Sequence, residues 1–433
     1  MHKLPDTFAG WLAHIEQVHP QSIAMGLDRA RAVKSAMALL PAVPVITIGG
    51  TNGKGSACMM LEAILHHAGY KTGCYTSPHL LRYNERVRIA REPASDAQLM
   101  RAFEAVEHAR AQAGVLLTYF EFGTLAAMAL FIEARVDVMI LEVGLGGRLD
   151  AVNVFEPDCA MVMSVALDHM DYLGGTREQI GFEKAGIYRA GKPAICADSD
   201  PPQSLLDHAA AIGAQLLIRG RDFDVKSVPN QWTYHTKHGA GGARHGLPWP
   251  VLRGAHQLAN AAACIAALDT LRDRCPVTMN DIRDGLLTAE NPGRFQVLPG
   301  QPLVILDVAH NPHAAHALAD SLKSMPRGGR TLAVFAMLAD KDIDGVIAIL
   351  KPHIGNCGHW FVAGISTAGP RGASAEFIEQ KLIAAGISKV TRCGTIAAAV
   401  NAAREAASVD DKILIFGSFH TVSEAMQAIN VAG

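Results

Sequence analysis

No C-x-x-C pair occurs among the eight cysteines, at positions 58, 74, 159, 196, 264, 275, 357 and 393. Scattered thiols in so long a chain read as reduced and mostly buried, in a cytosolic protein, and not as a disulfide framework. No apolar run approaches the ~18 residues of a membrane span; the best, Leu125 to Ile132, stops at Glu133. The opening residues Met1 to Asp6 lack the apolar core of a signal peptide. Also missing is any Lys/Arg run. With 39 basic and 41 acidic side chains, the chain has no general polyanion surface, which argues against a nucleic-acid partner. Internal repeats and low-complexity segments are absent too. A cytoplasmic protein with no membrane and no nucleic-acid partner is expected.

At 433 residues the chain exceeds the roughly 250–300 at which single cores stop growing, so two domains are expected. The most informative stretch is Gly49-Gly50-Thr51-Asn52-Gly53-Lys54-Gly55-Ser56, directly after the apolar run Val43 to Ile48. A β-branched strand, glycines, a lysine, a hydroxyl and then the helix-like Ala57 to Ala68 have the layout of a phosphate-binding loop. Glycines let backbone N–H groups converge on phosphate oxygens, the helix N-terminus adds positive potential, and Lys54 supplies a full charge. The spacing departs from G-x-x-x-x-G-K-[ST]: three residues separate Gly49 from Gly53, and Gly55 intervenes before Ser56. An ordinary glycine-rich turn is the plainer alternative.

Short apolar strands then alternate with amphipathic helices, among them Val45–Ile48, Val136–Leu141, Cys159–Val165 and Pro193–Cys196. This rhythm predicts a mostly parallel sheet covered on both faces, with ligands bound beyond the carboxyl ends of its strands. Residues Arg219–Arg253 break the rhythm and read as a small irregular β excursion. A Pro/Gly-marked passage precedes a second βα series. The expected division is a first domain over 1–291, a linker over 292–302, and a smaller doubly wound, Rossmann-like domain over 303–433.

Read one by one, several polar residues have plain alternatives. Glu142 ends an apolar strand where a Walker-B-type acid belongs, although solvated acids are common there. Ser56 offers a hydroxyl to Mg²⁺, which wants oxygen ligands and borrows phosphate oxygens. His169 follows Val165-Ala166-Leu167-Asp168; most such histidines are hydrogen bonders, and imidazole is an uncommon Mg²⁺ ligand. Lys184 reads as a surface helix lysine. Arg294 reads either as an exposed linker arginine or as a group that swings onto phosphates. Tyr119 and Phe120 read as core.

The loop Gly50 to Ser56 resembles the ATP loop of the Mur ligase superfamily, and specifically its folate branch of folylpolyglutamate synthases and bifunctional dihydrofolate synthase/folylpolyglutamate synthases. Further segments extend the resemblance along the chain: Tyr75 to Leu80, Thr118 to Glu121, Leu141 to Asp150, Leu167 to His169, Phe182 to Gly186, Pro292 to Phe295, Asp307 to Pro312 and Gly417 to His420. It implies a two-domain α/β fold, with a P-loop-type domain of Mur ligase kind first, and an ATP-dependent ligase that joins L-glutamate to dihydropteroate and to reduced folates, a monofunctional folylpolyglutamate synthase being the closest alternative. Only 48 residues precede the loop, too few for the extra N-terminal domain of the peptidoglycan branch.

The resemblance also implies roles. Thr51, Asn52, Gly53, Lys54, Gly55, Ser56, Asn260, Arg294 and Asp307 would contact ATP. Ser77, Glu142 and His169 would ligate Mg²⁺, two ions being expected, with Lys184 carbamylated beside them. Ser22, Ile23, Ala24, Met25, Thr118, Tyr119, Phe120, Glu121, Leu149, Asp150 and Ala151 would hold the pterin. His310 and Ser418 would receive the incoming glutamate. Lys54, Lys184, Arg294 and His310 are the expected catalytic set, in a monomer. A P-loop switch is the alternative from another class, but its guanine-reading Asn-Lys-x-Asp is absent.

Overall fold

The computed structural model describes residues 4–21, 23–228, 231–237, 242–325, 328–355 and 357–429. They gather into two units. The first runs to His79 and takes in Tyr83–Val251 and Leu258–Ala289; the second takes Leu80–Arg82, Leu252–Gln257 and the described residues from Glu290 on.

Eight strands form the main sheet of the first unit: β1 (Val45–Gly49), β2 (Thr72–Tyr75), β3 (Val87–Ile89), β4 (Glu92–Pro93), β5 (Val138–Glu142), β6 (Cys159–Val162), β7 (Pro193–Cys196) and β8 (Gln215–Ile218). Their order is β4-β3-β2-β5-β1-β6-β7-β8. The six strands from β2 to β8 in that order are parallel, and β3 and β4 add an antiparallel edge. Every residue of β1 and β5 is buried, as expected of central parallel strands covered on both faces. Because β1 lies between β5 and β6, the chain reverses direction across the sheet there and leaves a crevice at the carboxyl ends. Register brings Ile48 beside Glu142 and Gly49 beside Val162, so the ends of three strands border one place.

The helix Lys54–His67 follows β1, and Ser56 through Leu65 along it are all buried. Two helices, Phe8–Gln17 and Asp28–Ala36, occupy the first forty residues on either side of Pro20. The excursion at 219–253 is an antiparallel sheet of β9 (Phe223–Val228), β10 (Gln231–Thr236) and β11 (Gly242–Pro248), with a register shift between Trp232 and Tyr234. The helix His256–Thr270 comes next.

The second unit holds β12 (Gln296–Leu298), β13 (Leu303–Asp307), β14 (Thr331–Phe335), β15 (His359–Val362), β16 (Val390–Arg392) and β17 (Lys412–Phe416), in the order β12-β13-β17-β14-β15-β16. All pair in parallel except β12. Side chains alternate between its two faces. Ile305 joins Leu318, Ile347 and Ile378 in one core, whereas Val304 and Leu306 join Ile396, Val400 and Val422 in the other. That is the doubly wound arrangement expected. The stretch 292–302 is not an open connection: Gln296–Leu298 pair with Val304–Leu306, so the passage expected as a linker contributes an edge strand to the second unit. Among the described residues, no helix is long and apolar enough to cross a membrane.

Candidate nucleotide and acceptor site

The glycine loop leaves β1 at the strand-end crevice. Gly53 is the N-cap of the helix Lys54–His67, has φ 89°, and offers no side chain to cap it. Its helix therefore presents first-turn N–H groups of the kind anions bind. The Lys54 ammonium donates to the carbonyls of Gly50 at 2.9 Å and Thr51 at 3.3 Å, so it is folded over the loop that it would serve. Ser56 is buried one turn on. The loop is fastened to the chain after β6: Thr51 N–H donates to the Ser164 carbonyl at 2.8 Å, Asn52 N–H donates to Ser164 Oγ at 3.0 Å, and Thr51 Oγ1 donates to the Ala166 carbonyl at 3.1 Å. Ser164 carries no motif, and the sequence reading missed it.

Asn260 comes to the same loop from the helix His256–Thr270. A Cβ built on Gly53 would lie 2.9 Å from Asn260 Oδ1, closer than real Cβ contacts allow. Gly53→Ala is thus expected to suffer twice, from the positive φ, costing about 1–2 kcal/mol, and from displacing Asn260. A raised KM for ATP with a Tm lower by several degrees would check it; an unchanged KM would mean Asn260 does not matter to the nucleotide.

Glu142, at the end of β5, is buried, and its Oε2 accepts the Ser77 N–H at 3.0 Å. Two of the expected metal-side residues thus meet, although they are 65 positions apart. His169 stands on the segment that the loop fastens. It is the N-cap of the short helix Met170–Leu173 with φ 50°, and its backbone N–H donates to Asp168 Oδ1 at 2.9 Å. No group of three or more His, Cys, Asp or Glu side chains shaped to hold a metal occurs among the described residues. A carboxylate and hydroxyls beside a phosphate loop fit Mg²⁺, which keeps waters and takes phosphate oxygens instead of an all-protein cage.

Lys184 departs most from its plain reading. It lies in the helix Arg177–Ala185 but is 3% exposed, so it is not a surface lysine. Burial first, and then the positive charge of Lys54, lower its pKa to about 7; Asp168 and Asp150 oppose that shift. Asp150 is shifted the other way. Burial raises its carboxyl to about 7, against hydrogen bonds from the N–H groups of Leu145, Val152 and Gly144 and the charge of Lys54. Those bonds, at 2.9, 3.0 and 3.1 Å, fold the glycine-rich turn after β5 around Asp150.

The expected pterin segments also converge. Ser22 lies outside the described residues. A Cβ on Gly144 would lie 2.7 Å from the Phe120 ring, and one on Gly146 would lie 3.7 Å from Met25 Cε. Gly26 N–H reaches the Leu149 carbonyl at 3.4 Å. Tyr119 and Phe120 are half-buried, so their rings are not wholly core. Thr118 and Glu121 instead form a reciprocal capping box at the start of the helix Tyr119–Glu133. Glu121 is also held by Arg29 at 2.9 Å, while Arg29 Nη2 donates to the Ala24 carbonyl at 2.6 Å. Their side chains therefore shape this wall. Ala151 and Ile23 complete the segments, with Ala151 buried and Ile23 half-buried. Arg86 was missed as well. Its guanidinium lies 5.4 Å from the Tyr83 ring and 5.3 Å from the Tyr119 ring, with Nε donating to His79 Nδ1 at 2.8 Å.

In the second unit Arg294 lies 5.0 Å over the Phe419 ring. Asp307 accepts the N–H groups of Phe295 and Ala309, each at 2.8 Å. Burial raises its pKa, against the charge of Arg294. His310 Nδ1 pairs with the Val308 carbonyl at 2.9 Å, and its ring is 6.4 Å from Phe419. Ser418 is buried, and its hydroxyl caps the helix Phe419–Ala428 by accepting the Thr421 N–H at 3.0 Å. Arg294, Asp307 and His310 are thus gathered, with Ser418 next to them in sequence to Phe419.

Two family models match the chain: the Mur ligase middle domain over residues 48–268, and the Mur ligase glutamate ligase domain over residues 293–419. A nucleotide loop on a parallel sheet, followed by a doubly wound unit, thus defines a protein of the Mur ligase family. Within that family, the chain belongs with the dihydrofolate synthase/folylpolyglutamate synthases. It is 44% identical to the Escherichia coli (strain K12) protein of that name, over 98% of this chain and 95% of that one. The solved structure of E. coli FolC in complex with DHPP and ADP superposes with TM-score 0.92 at 43% identity, covering 99% of each chain. A bifunctional folylpolyglutamate synthase/dihydrofolate synthase with Mn, AMPPNP and L-glutamate bound superposes with TM-score 0.90 at 42% identity, covering 99% of this chain and 100% of that one.

Proposed function

We propose that this chain is an ATP-dependent ligase that joins L-glutamate to 7,8-dihydropteroate, giving dihydrofolate, and to tetrahydrofolate and its polyglutamates. The observation that carries this reading is the pairing of the Lys54 loop on β1 with Glu142 and Ser77 at the ends of the neighbouring strands, in a chain alike end to end to enzymes of that name.

A carboxylate is a poor electrophile, because its leaving group would be oxide. Transfer of the γ-phosphoryl group of ATP to the acceptor's carboxylate gives an acyl phosphate and ADP. The glutamate amine then attacks the acyl carbon, and phosphate leaves as the amide forms. The protein's part is positioning and charge neutralisation. Lys54 exchanges the Gly50 and Thr51 carbonyls for phosphate oxygens, and the helix that begins at Lys54 offers its first-turn N–H groups. Asn260, against Gly53, is assigned to the adenine side of the nucleotide. Arg294 and Asp307 are assigned to the nucleotide, and His310 and Ser418 to the incoming glutamate. Met25, Tyr119, Phe120 and the turn at Leu149 to Ala151 receive the pterin.

Glu142, Ser77, His169 and Ser56 would hold Mg²⁺, which when bound would supply Lewis-acid stabilisation of charge on the transferring phosphoryl group. Lys184 is proposed to be carbamylated. The ammonium first loses a proton to solvent; its neutral Nζ then forms the N–C bond to CO₂ and loses a second proton, leaving a carboxylate-like carbamate anion near Lys54. The protein is proposed to act as a monomer.

Glu142→Gln keeps the Ser77 N–H contact but loses the charge. It is expected to raise the Mg²⁺ concentration for half-maximal activity by about tenfold or more; an unchanged Mg²⁺ requirement would remove Glu142 from the metal side. For the reaction itself, hydroxylamine offered in place of glutamate should trap the acyl phosphate as a hydroxamate, with matching ADP. ADP release without any hydroxamate would rule out the acyl-phosphate route.

A further inference from the structure

Several arginines of the first unit meet a carboxylate: Arg29 meets Glu121, Arg88 meets Glu62, Arg110 meets Glu107 and Arg148 meets Glu183. Arg86 does not. It is half-buried, and among the described residues no carboxylate pairs with its guanidinium. Its Nε donates to His79 Nδ1 at 2.8 Å, and an imidazole that accepts there carries no charge. The guanidinium also lies 5.4 and 5.3 Å from the rings of Tyr83 and Tyr119, which meet each other edge to face at 5.7 Å. Burial raises both phenols above their ordinary pKa, so they are neutral as well. Three neutral groups thus hold a cation in place, and none of them cancels its charge. With Nε taken, the Nη1–Nη2 edge is left for a ligand, and its parallel N–H donors match a carboxylate.

The backbone sets this cation between two parts of the site. Arg86 ends the short 3₁₀ helix Tyr83–Arg86, and its carbonyl accepts the Thr76 N–H at 2.9 Å. Ser77, which follows Thr76, donates its N–H to Glu142 on the metal side. The Arg86 side chain reaches the other way, to Tyr119 on the pterin wall. A carboxylate on Arg86 would therefore lie between the pterin and the carboxylate that is to be phosphorylated. Dihydropteroate has a single carboxylate, and it reacts. Tetrahydrofolate and its polyglutamates carry a second on their terminal glutamyl residue, and it does not react.

We propose that Arg86 binds this second carboxylate, the α-carboxylate of folate acceptors, and so serves polyglutamate extension more than dihydrofolate formation. The inference rests on the function proposed above. Its energetic basis is a charge-assisted pair made against two aromatic rings that partly exclude water, with the guanidinium already held in place before the acceptor arrives.

The test compares the full chain and its Arg86→Gln variant, with ATP, Mg²⁺ and L-glutamate, on tetrahydrofolate and on dihydropteroate. The loss of kcat/KM in the variant is expected to be about 10- to 100-fold greater with tetrahydrofolate than with dihydropteroate. Most of it should appear as a raised KM for the folate. A second measurement needs no variant: the α-carboxamide of tetrahydrofolate should be a poorer acceptor for the wild type by a similar factor. Arg86→Gln should treat that amide and tetrahydrofolate alike. Equal losses with both acceptors would overturn the proposal, since Arg86 would then serve the reacting carboxylate or the fold. A wild type that uses the amide as well as tetrahydrofolate would also overturn it, while turnover with dihydropteroate kept the ligase reading intact. Wild-type turnover with neither acceptor would overturn both.

Discussion

Lys54→Met is expected to lower kcat by about 10²–10³-fold, the usual loss when one preorganised donor to a developing anion is removed. Its Nζ now rests on the Gly50 and Thr51 carbonyls, at 2.9 and 3.3 Å. Gly50 is buried and Thr51 half-buried, so loss of the two bonds should also lower the Tm, and kcat is to be compared on folded protein. A second consequence separates a charge effect from a local collapse. The Lys54 charge is one of the two causes that hold the Lys184 pKa down, the other and larger being burial. Removing it should let the Lys184 pKa rise, as followed by ¹⁵N or ¹³C NMR of labelled lysine. Kinetic loss together with that rise would support the assignment. Wild-type kcat in the variant would remove Lys54 from the phosphoryl transfer.

The second large effect concerns Lys184. At a pKa of about 7, roughly half of this amine is neutral at neutral pH, against ~0.03% of an ordinary lysine. Only the neutral amine attacks CO₂, so its burial makes Lys184 more than about 10³-fold richer in the reactive form. Lys184→Met is therefore expected to abolish the bicarbonate dependence of activity and to lower kcat by about 10²-fold or more. A carbamate resonance from ¹³C-bicarbonate should be present in the wild type and absent from the variant. An unmodified ammonium in the active, metal-loaded enzyme would contradict carbamylation.

The same group has a stability signature in CO₂-free buffer. Between pH 7 and 10.5 the unfolded chain holds a proton on Lys184 that the folded chain does not, so stability rises with pH across that window. Asp150 acts in the opposite sense. Its carboxyl, raised from 3.8 to about 7, holds a proton in the folded chain that the unfolded chain has lost, so stability falls as pH rises from 3.8 to 7. The two together place a minimum near neutrality. Lys184→Met should erase the rise above pH 7 and keep the fall below it, as thermal melts across pH would show.

Much of this site was legible because its signals are local. Strand, glycines, lysine and helix follow one another from Val45 to His67, so the loop can be read without knowing the rest of the fold. The second βα series was legible for the same reason, because its strands and helices alternate along the chain. What stayed hidden depends on contacts between distant segments. Lys184 has an unremarkable helical neighbourhood, and its burial appears only when its helix packs against the turn Gly144 to Asp150. A Cβ on Gly147 would lie 2.8 Å from the Glu183 carbonyl, which shows how close that packing is. Arg29 meets Glu121 across 92 positions, and Ser164 meets Asn52 across 112; neither pair leaves a periodicity to read. The stretch 292–302 misled because its prolines and glycines mark the turns around a short edge strand as readily as a linker.

The most direct test of the central claim is ADP formation by the purified chain with ATP, Mg²⁺ and L-glutamate, offering dihydropteroate and tetrahydrofolate in separate reactions. Glutamate-dependent turnover with both acceptors is expected. Turnover with neither, from protein that still binds ATP, would contradict the account.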